Sequence, residues 1–289
     1  IENVRQFREL QTRLEREAAT REILSVISQS RDEEQPVFDV ILENAARLCG
    51  APMARLLLAN EERTHYRIAA SWGDAHRVAQ VGDVTEFNPV VVTARSILGN
   101  QVIQMPDMRE TEGYKAGLPI AKRIVDGEGV RTLLLVPLSL GDMALGCIAL
   151  NRREVMPFSD DEITLVQSFA AQAVIAIENV RQFRELQTRL EREAATREIL
   201  SVISQSRDDE QPVFDVILKS ASRLCNAPLA FLSMANEERT HVNIRAMLGA
   251  RAEFTSLVEN FHEPIEGAKL VAIRPIAEAM PIRVDDITA

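Results

Sequence analysis

Cysteine is scarce in this chain and poorly placed for chemistry. Three occur in 289 residues, an odd number with no CxxC spacing, which excludes a disulfide framework and points to a reducing compartment. Long apolar runs are also missing. The longest, 132–140, is interrupted by Pro137 and Ser139 and falls well short of the roughly 18 to 20 residues of a membrane span. The expectation is therefore a soluble, cytoplasmic segment without membrane contact. Nor is there a block of five like charges. With 43 acidic against 33 basic residues the net charge is −10, which repels phosphate backbones and argues against a nucleic-acid partner. The four histidines do not fall at metal spacing: His65 and His241 close the same kind of turn, and His76 and His262 stand alone. Asp126-Gly-Glu-Gly has the glycines of a turn and lacks the lysine and length of a phosphate-binding loop. No nucleophile, base and orienting group occur together, so no catalysis is assigned to this segment.

What is present is an ordinary globular composition, 46% hydrophobic and 26% charged, at a length that suggests about two domains. Residues 1–42 recur at 177–218 with one difference, Glu33 against Asp209. An offset of 176 residues marks a repeated domain, because solenoid units run about 20 to 50 residues. Ile1 corresponds to Ile177, which lies inside a helical pattern, so the start reads as the cut end of a helix from an upstream copy. The second copy has no counterpart of residues 113–158. That shortfall predicts exposed strand edges there, so the second copy is expected to be loosely packed, completed by another chain, or recorded from an incomplete reading frame.

Pro36 in a first turn, followed by Val37, Val40, Ile41, Ala45 and Leu48, predicts an amphipathic helix ending at Gly50. Strands are expected at 53–59 and 65–72, joined by the polar turn at 60–64. The middle segment, 73–129, carries expected helices near 89–98 and 120–125 and a short strand at 102–105. A last hairpin, 131–138 and 145–151, is apolar enough to lie centrally in a sheet covered on both faces. The final helix has the clearest local signals. Ser159 and Glu162 form a capping box, and Phe158 with Ile163 a hydrophobic staple. Neither glycine nor proline occurs from Phe158 to Gln211, so the helix should run to about Ser204, roughly 65 Å at 1.5 Å per residue. Ile163, Val166, Ala170, Ala173, Ile177 and Val180, then Phe183, Leu186 and Leu190, form an apolar seam that suits a parallel homodimer.

These residues together resemble GAF domains, the small-molecule sensor modules of bacterial signalling proteins. Pro36 to Cys49 resembles the first domain helix, Gly129 to Leu138 with Leu145 to Leu150 the central hairpin, and Phe158 to Glu162 with Ala170 to Asn179 the exit helix. The connector at 18–28, repeated from Ala194, is similar to linkers of multi-GAF sensor histidine kinases and nucleotide cyclases. The resemblance implies an α+β fold: an antiparallel sheet of about six strands, the first and last helices on one face, a ligand cavity on the other. The expected organisation is a connector helix at 1–31, a first GAF domain at 32–176, a second connector at 177–207 and a truncated GAF domain at 208–289. Asn151-Arg152, Phe158 and Asp161-Glu162 are faintly similar to the Asn-Lys, Phe, Asp-Glu signature of cyclic-nucleotide-binding members, with Arg in place of Lys and a spacing one residue short. Relatives that attach a bilin do so through cysteine in the irregular segment. None lies between 50 and 146, so no covalent bilin is expected and the cofactor is unknown.

The two copies also identify the faces of the first strands. Ala54, Leu56 and Leu58 correspond to Ala230, Leu232 and Met234, all apolar, whereas Arg55 and Leu57 become Phe231 and Ser233. Side chains alternate between faces with period two, so the apolar set is expected on the helices and the variable set toward the cavity. By the same reasoning Tyr66, Ile68, Ala70 and Trp72 should face the helices, and Arg67, Ala69 and Ser71 the cavity. The candidate ligand-binding residues are Arg55, Leu57 and Arg67, with Met105, Asp107, Arg109, Tyr114 and Arg123 from the middle segment, suited to a small polar or anionic molecule. Cys49 and Cys225 are expected as small core residues and Cys147 as buried or cavity-lining. The function expected is a sensor that relays its state through long dimerising helices to an output domain outside this chain. The alternative is a ligand-free scaffold for dimerisation and spacing.

Overall fold

A computed structural model describes residues 2–30, 32–73, 80–206, 209–251, 261–266 and 273–284, and divides the chain into two compact units, 1–184 and 185–289. His76 lies outside the described residues. In the first unit, helices α1 (Glu2–Gln29) and α2 (Gln35–Leu48) precede strands β1 (Met53–Ala59), β2 (His65–Gly73) and β3 (Val84–Glu86). Helix α3 (Val92–Gly99) and strand β4 (Ile103–Met105) follow. Next come a 3-10 turn at Met108–Glu110, short helices α4 (Glu112–Lys115) and α5 (Pro119–Lys122), and a π-turn at Arg123–Gly127. Strands β5 (Thr132–Leu140) and β6 (Met143–Arg152) lead into α6 (Asp160–Gln205), the only element shared with the second unit.

The six strands form one antiparallel sheet in the order β3-β2-β1-β6-β5-β4. One face carries the main core. Ile23 of α1, Phe38 and Ile41 of α2 and Phe169, Ala170 and Ala173 of α6 pack against Ala54 and Leu56, Leu134 and Val136, and Ile148 and Leu150. Each of the larger side chains among these, removed from water, contributes about 1.5 to 3 kcal/mol before conformational entropy is counted. The other face carries a smaller core around Leu57, Ile68, Leu135, Cys147, Ile97 and Val125. The central strands β5 and β6 are thus apolar on both faces, as their composition predicts. Gly146 marks a close approach: a Cβ there would lie 1.9 Å from the Leu57 carbonyl oxygen, so β6 can pair with β1 at this point only through glycine.

A bulge corrects one expectation about the faces. Leu56 pairs with Ala70 and Leu57 with Ile68, leaving Ala69 as an extra residue in β2. Side-chain phase inverts across it. Ala70 and Trp72 face the helices as expected, but Tyr66 and Ile68 belong to the opposite core, Ala69, expected toward the cavity, packs in the helix-side core, and Arg67 is exposed on the helix side of the sheet.

The capping box of α6 forms as read from the sequence: Glu162 N–H donates to Ser159 Oγ (3.3 Å), and Ser159 N–H donates to Glu162 Oε2 (2.7 Å). The helix contains an 18-residue window with mean hydropathy 1.4, long and apolar enough to cross a membrane by length and composition, which a search for uninterrupted apolar runs overlooks. Its apolar side chains have another use here. Val166, Phe169, Ala170, Ala173 and Val174 lie in the helix-side core, so this half reads as the core helix of a globular domain. The apolar seam therefore divides. Its part up to Val180 is buried within the first unit, and only Phe183, Leu186 and Leu190 are exposed.

In the second unit, α7 (Gln211–Leu224) precedes a three-stranded antiparallel sheet of β7 (Ala230–Ala235), β8 (His241–Leu248) and β9 (His262–Pro264), and a short helix spans Arg274–Glu278. Local features repeat those of the first unit. The bulge recurs between Leu232 and Ser233. Asn236 Oδ1 accepts from the Thr240 and His241 amides as Asn60 Oδ1 does from Thr64 and His65. His262 does not stand alone: its ring stacks on His241 at 4.2 Å. Among the described residues β7 pairs only with β8, whereas β1 is flanked on both sides, and Leu224, Leu229, Phe231 and Met234 are exposed.

Cys225 is likewise exposed, contrary to the expectation of a core residue, whereas Cys49 and Cys147 are buried. Cys49 Sγ lies 4.0 Å from the Glu162 carbonyl oxygen at the start of α6. Burial, with a smaller contribution from Glu162, pushes the Cys49 thiol up to about 12, and complete burial pushes that of Cys147 up as well. A thiol titration of the native chain with a disulfide reagent should release one equivalent rapidly, from Cys225, and the other two only on unfolding. Rapid release of two or three would contradict the packing around Cys49 and Cys147.

Candidate functional site

The bulge and the alternation of β1 create a cavity of about 310 Å³ on the sheet face away from α1, α2 and α6. Its floor is Arg55 and Leu57 of β1, Tyr66 and Ile68 of β2, Leu133 of β5, and Ala149 and Asn151 of β6. Its walls are Asp83 to Thr85 at β3, Val91 and Thr93 at the start of α3, and Ile120, Arg123, Ile124 and Glu128 around α5 and the π-turn.

The central polar feature is a buried ion pair. Arg55 Nη2 donates to Glu128 Oε1, and the two side chains are only 8% and 1% exposed. An arginine on an inward face of a central strand requires such a partner, since removing an unpaired charge from water costs several kcal/mol. Glu128 reaches it from the end of the π-turn, just before Gly129 at φ +75°, with Val125 and Val130 buried on either side. Glu128 Oε2 is buried and accepts no hydrogen bond among the described residues. Tyr66 is buried in the floor against the Phe87 ring (centroids 5.3 Å apart). Burial, aided by neighbouring Cys147, raises its phenol to about 12, so it stays neutral at physiological pH.

Of the residues singled out from sequence, Arg55, Leu57 and Arg123 line the cavity; Arg67, Met105, Asp107, Arg109 and Tyr114 do not. Met105 is half-buried on β4, at the far edge of the sheet. Tyr114 donates its hydroxyl to Asp126 (3.0 Å), and Lys122 Nζ stands 3.7 Å from its ring centre. Asp107 is structural. Its carboxylate accepts from Arg131 Nε (3.0 Å) and Nη2 (2.6 Å), and from the Arg109 amide (3.1 Å), the one described hydrogen bond of the otherwise exposed Arg109.

The Arg131 guanidinium beside it holds the Asp107 carboxyl down to about 2, against an ordinary 3.8. A depressed carboxyl contributes stability that is fully present above its unfolded value and lost as pH falls through its folded value. Wild-type stability should therefore fall more steeply than that of Asp107→Asn as pH drops from about 3.8 to about 2. Urea unfolding followed at the single tryptophan, Trp72 on β2, tests this, and equal slopes would contradict the pairing.

Among the lining residues that sequence reading missed are Tyr66, Ile68, Asp83, Thr85 and Glu128. Tyr66 and Ile68 were hidden by the bulge, and Glu128 by its place in an Asp-Gly-Glu-Gly stretch that reads as an ordinary turn. The signal for Glu128 was indirect: Arg55 on an inward strand face demands a carboxylate from a distant segment. The faint nucleotide-binding pattern resolves differently. Asn151 lines the cavity, but Arg152 points to the helix side, where its Nη1 donates to the carbonyls of Met156 and Pro157 and its Nη2 to Cys49 carbonyl and Glu162 Oε1. Its guanidinium lies 3.9 Å from the Phe158 ring centre.

Similar folds occur among solved structures. The bacteriophytochrome RpBphP3 from R. palustris aligns with a TM-score of 0.59 at 9% identity, over 83% of this chain and 50% of that one. The phytochrome photosensory core module of Stigmatella aurantiaca gives 0.57 at 15% identity, over 84% and 50%. The chain thus spans about half of each phytochrome structure, and at these identities the likeness is one of fold. The GAF domain of an Acinetobacter phosphoenolpyruvate-protein phosphotransferase gives 0.48 at 17% identity, over 57% of this chain and 93% of its own. With the sheet order, the one-sided helix layer and the cavity opposite it, the match of residues 33–177 to the GAF domain places this chain in the GAF domain family, whose domain is a regulatory module and not a catalytic one.

Proposed function

We propose that the first unit is the ligand-sensing domain of a tandem GAF segment from a cytoplasmic bacterial signalling protein, a sensor histidine kinase or nucleotide cyclase whose output domain lies outside this chain. The observation that carries the sensing role is the cavity itself, open on the face the helices leave free and floored by buried polar groups. The tandem reading rests on the recurrence of residues 1–42 at 177–218, and on the bulge and asparagine turn shared by both units. The second unit is then a second GAF-type domain, and α1 and the second part of α6 are connectors.

Dimerisation is part of the same reading. Phe183, Leu186 and Leu190 of α6 are exposed at the 3-4 spacing of a coiled-coil seam, as are their repeat counterparts Phe7, Leu10 and Leu14 of α1. Flanking pairs such as Arg189 with Glu185 and Arg197 with Glu193 keep the rest of the helix surface polar. A parallel homodimer through these stripes would let a change at the cavity reach the output through an uninterrupted α6. Such coupling requires the ligand to bind two helix arrangements with different affinity. The scaffold reading draws support from Asp107 and Tyr114, which have structural partners and lie outside the cavity lining.

Native mass spectrometry of the purified chain reads both elements at once. The proposal expects a dimer mass with a small adduct per protomer that is shed on collisional activation. A ligand-free dimer would favour the scaffold, and a ligand-free monomer would contradict both readings.

A further inference from the structure

We propose that the cavity selects a compact molecule that presents an N–H donor, an amidine, amine or primary amide, to Glu128 Oε2, and that it discriminates against carboxylates of the same size. This rests on the reading of the first unit as a sensor and goes beyond it by assigning the ligand's chemistry. Three observations carry it. Glu128 is 4% exposed and lines the cavity, yet only its Oε1 is used, by Arg55; Oε2 has no hydrogen-bond partner among the described residues. Buried acceptors in native structures are almost always satisfied, so a donor is the missing complement. The second observation concerns charge. Arg55, which the sequence alone suggests as an anion holder, is already engaged by Glu128, and the lining as a whole carries as many carboxylates, Glu128 and Asp83, as arginines, Arg55 and Arg123. An entering carboxylate would meet the Glu128 oxygen as a like charge. The third is shape. A space of about 310 Å³ between Leu57, Ile124 and Leu133 suits a small body that is apolar apart from its head group.

Four probes of one shape separate the possibilities in the full chain: benzamidine, benzamide, benzoate and fluorobenzene, titrated by calorimetry or ligand-observed NMR. Benzamidine and benzamide should bind at least about tenfold more tightly than benzoate, the ratio expected from one hydrogen bond to a charged group. Glu128→Gln directs an amide where the carboxylate stood and should shift the preference toward benzoate. Because that variant disturbs a buried pair, Arg55→Met with Glu128→Leu serves as a second test. It replaces the pair with apolar groups, and there benzamidine and benzoate should differ by no more than about twofold while fluorobenzene still binds. Benzoate binding as tightly as benzamidine to the wild type would overturn the assigned ligand class and leave the sensing cavity standing. A donor preference that survives both variants would overturn the role of Glu128. Failure of all four probes, fluorobenzene included, would overturn this inference and the sensing reading together.

Discussion

Glu128→Ala should destabilise the first unit by about 3 kcal/mol, among the largest effects of any single change on the cavity side. The substitution strips a buried guanidinium of its carboxylate while Leu57 and Tyr66 around it remain packed. Arg55→Met combined with Glu128→Leu should instead remain within about 1 kcal/mol of wild type, because the desolvation of both charges disappears along with their attraction. Denaturant unfolding read at Trp72, which lies on β2 beside this strand, isolates the first unit from the second. If the single and double variants lose equal stability, the pair is not the buried, desolvated contact described here.

A change of similar size is expected from Arg152→Lys, about 3 kcal/mol, although the charge is retained. The planar guanidinium of Arg152 serves three carbonyls and the Glu162 carboxylate together and stacks on Phe158. It ties the C-terminal end of α2, the turn after β6 and the capping box of α6 into one knot. A lysine ammonium has three donors and no plane, so it would leave carbonyls unsatisfied in a site where Arg152 is 5% exposed. The test also separates two roles. Lysine stands at this place in the nucleotide-binding signature. A role in ligand recognition would therefore predict that Arg152→Lys preserves stability and binding. The knot predicts loss of stability with the cavity's selectivity unchanged.

Much of the fold was legible in the sequence because it depends on local rules. The capping box at Ser159 and Glu162, the glycine- and proline-free run into α6 and the doubly apolar β5–β6 hairpin each specify an element through nearby residues. The comparison of the two copies assigned β1 correctly, with Ala54 and Leu56 to the helices and Arg55 and Leu57 to the cavity. It failed on the first half of β2 because strict alternation cannot anticipate an extra residue. The bulge at Ala69 changes no composition, only phase, and both copies share it, so the comparison could not reveal it. The cavity walls were hardest to read. Glu128 and Asp83 come from irregular segments whose positions depend on long-range contacts, and the residues chosen there, Asp107, Arg109 and Tyr114, are engaged in hydrogen bonds within the middle segment and to Arg131 in place of a ligand site.

The central claim is that the two faces of one sheet have separate roles, helices on one and a receptor cavity on the other. Methyl NMR of the full chain with saturating fluorobenzene tests it most directly. Neighbouring residues on the same strands serve as internal controls. The methyls of Leu57 and Leu133 should shift, together with Ile68 and Ile124, while Leu56 and Leu134 stay in place. Equal shifts across both sets, or movement of Leu56 and Leu134 alone, would contradict the account.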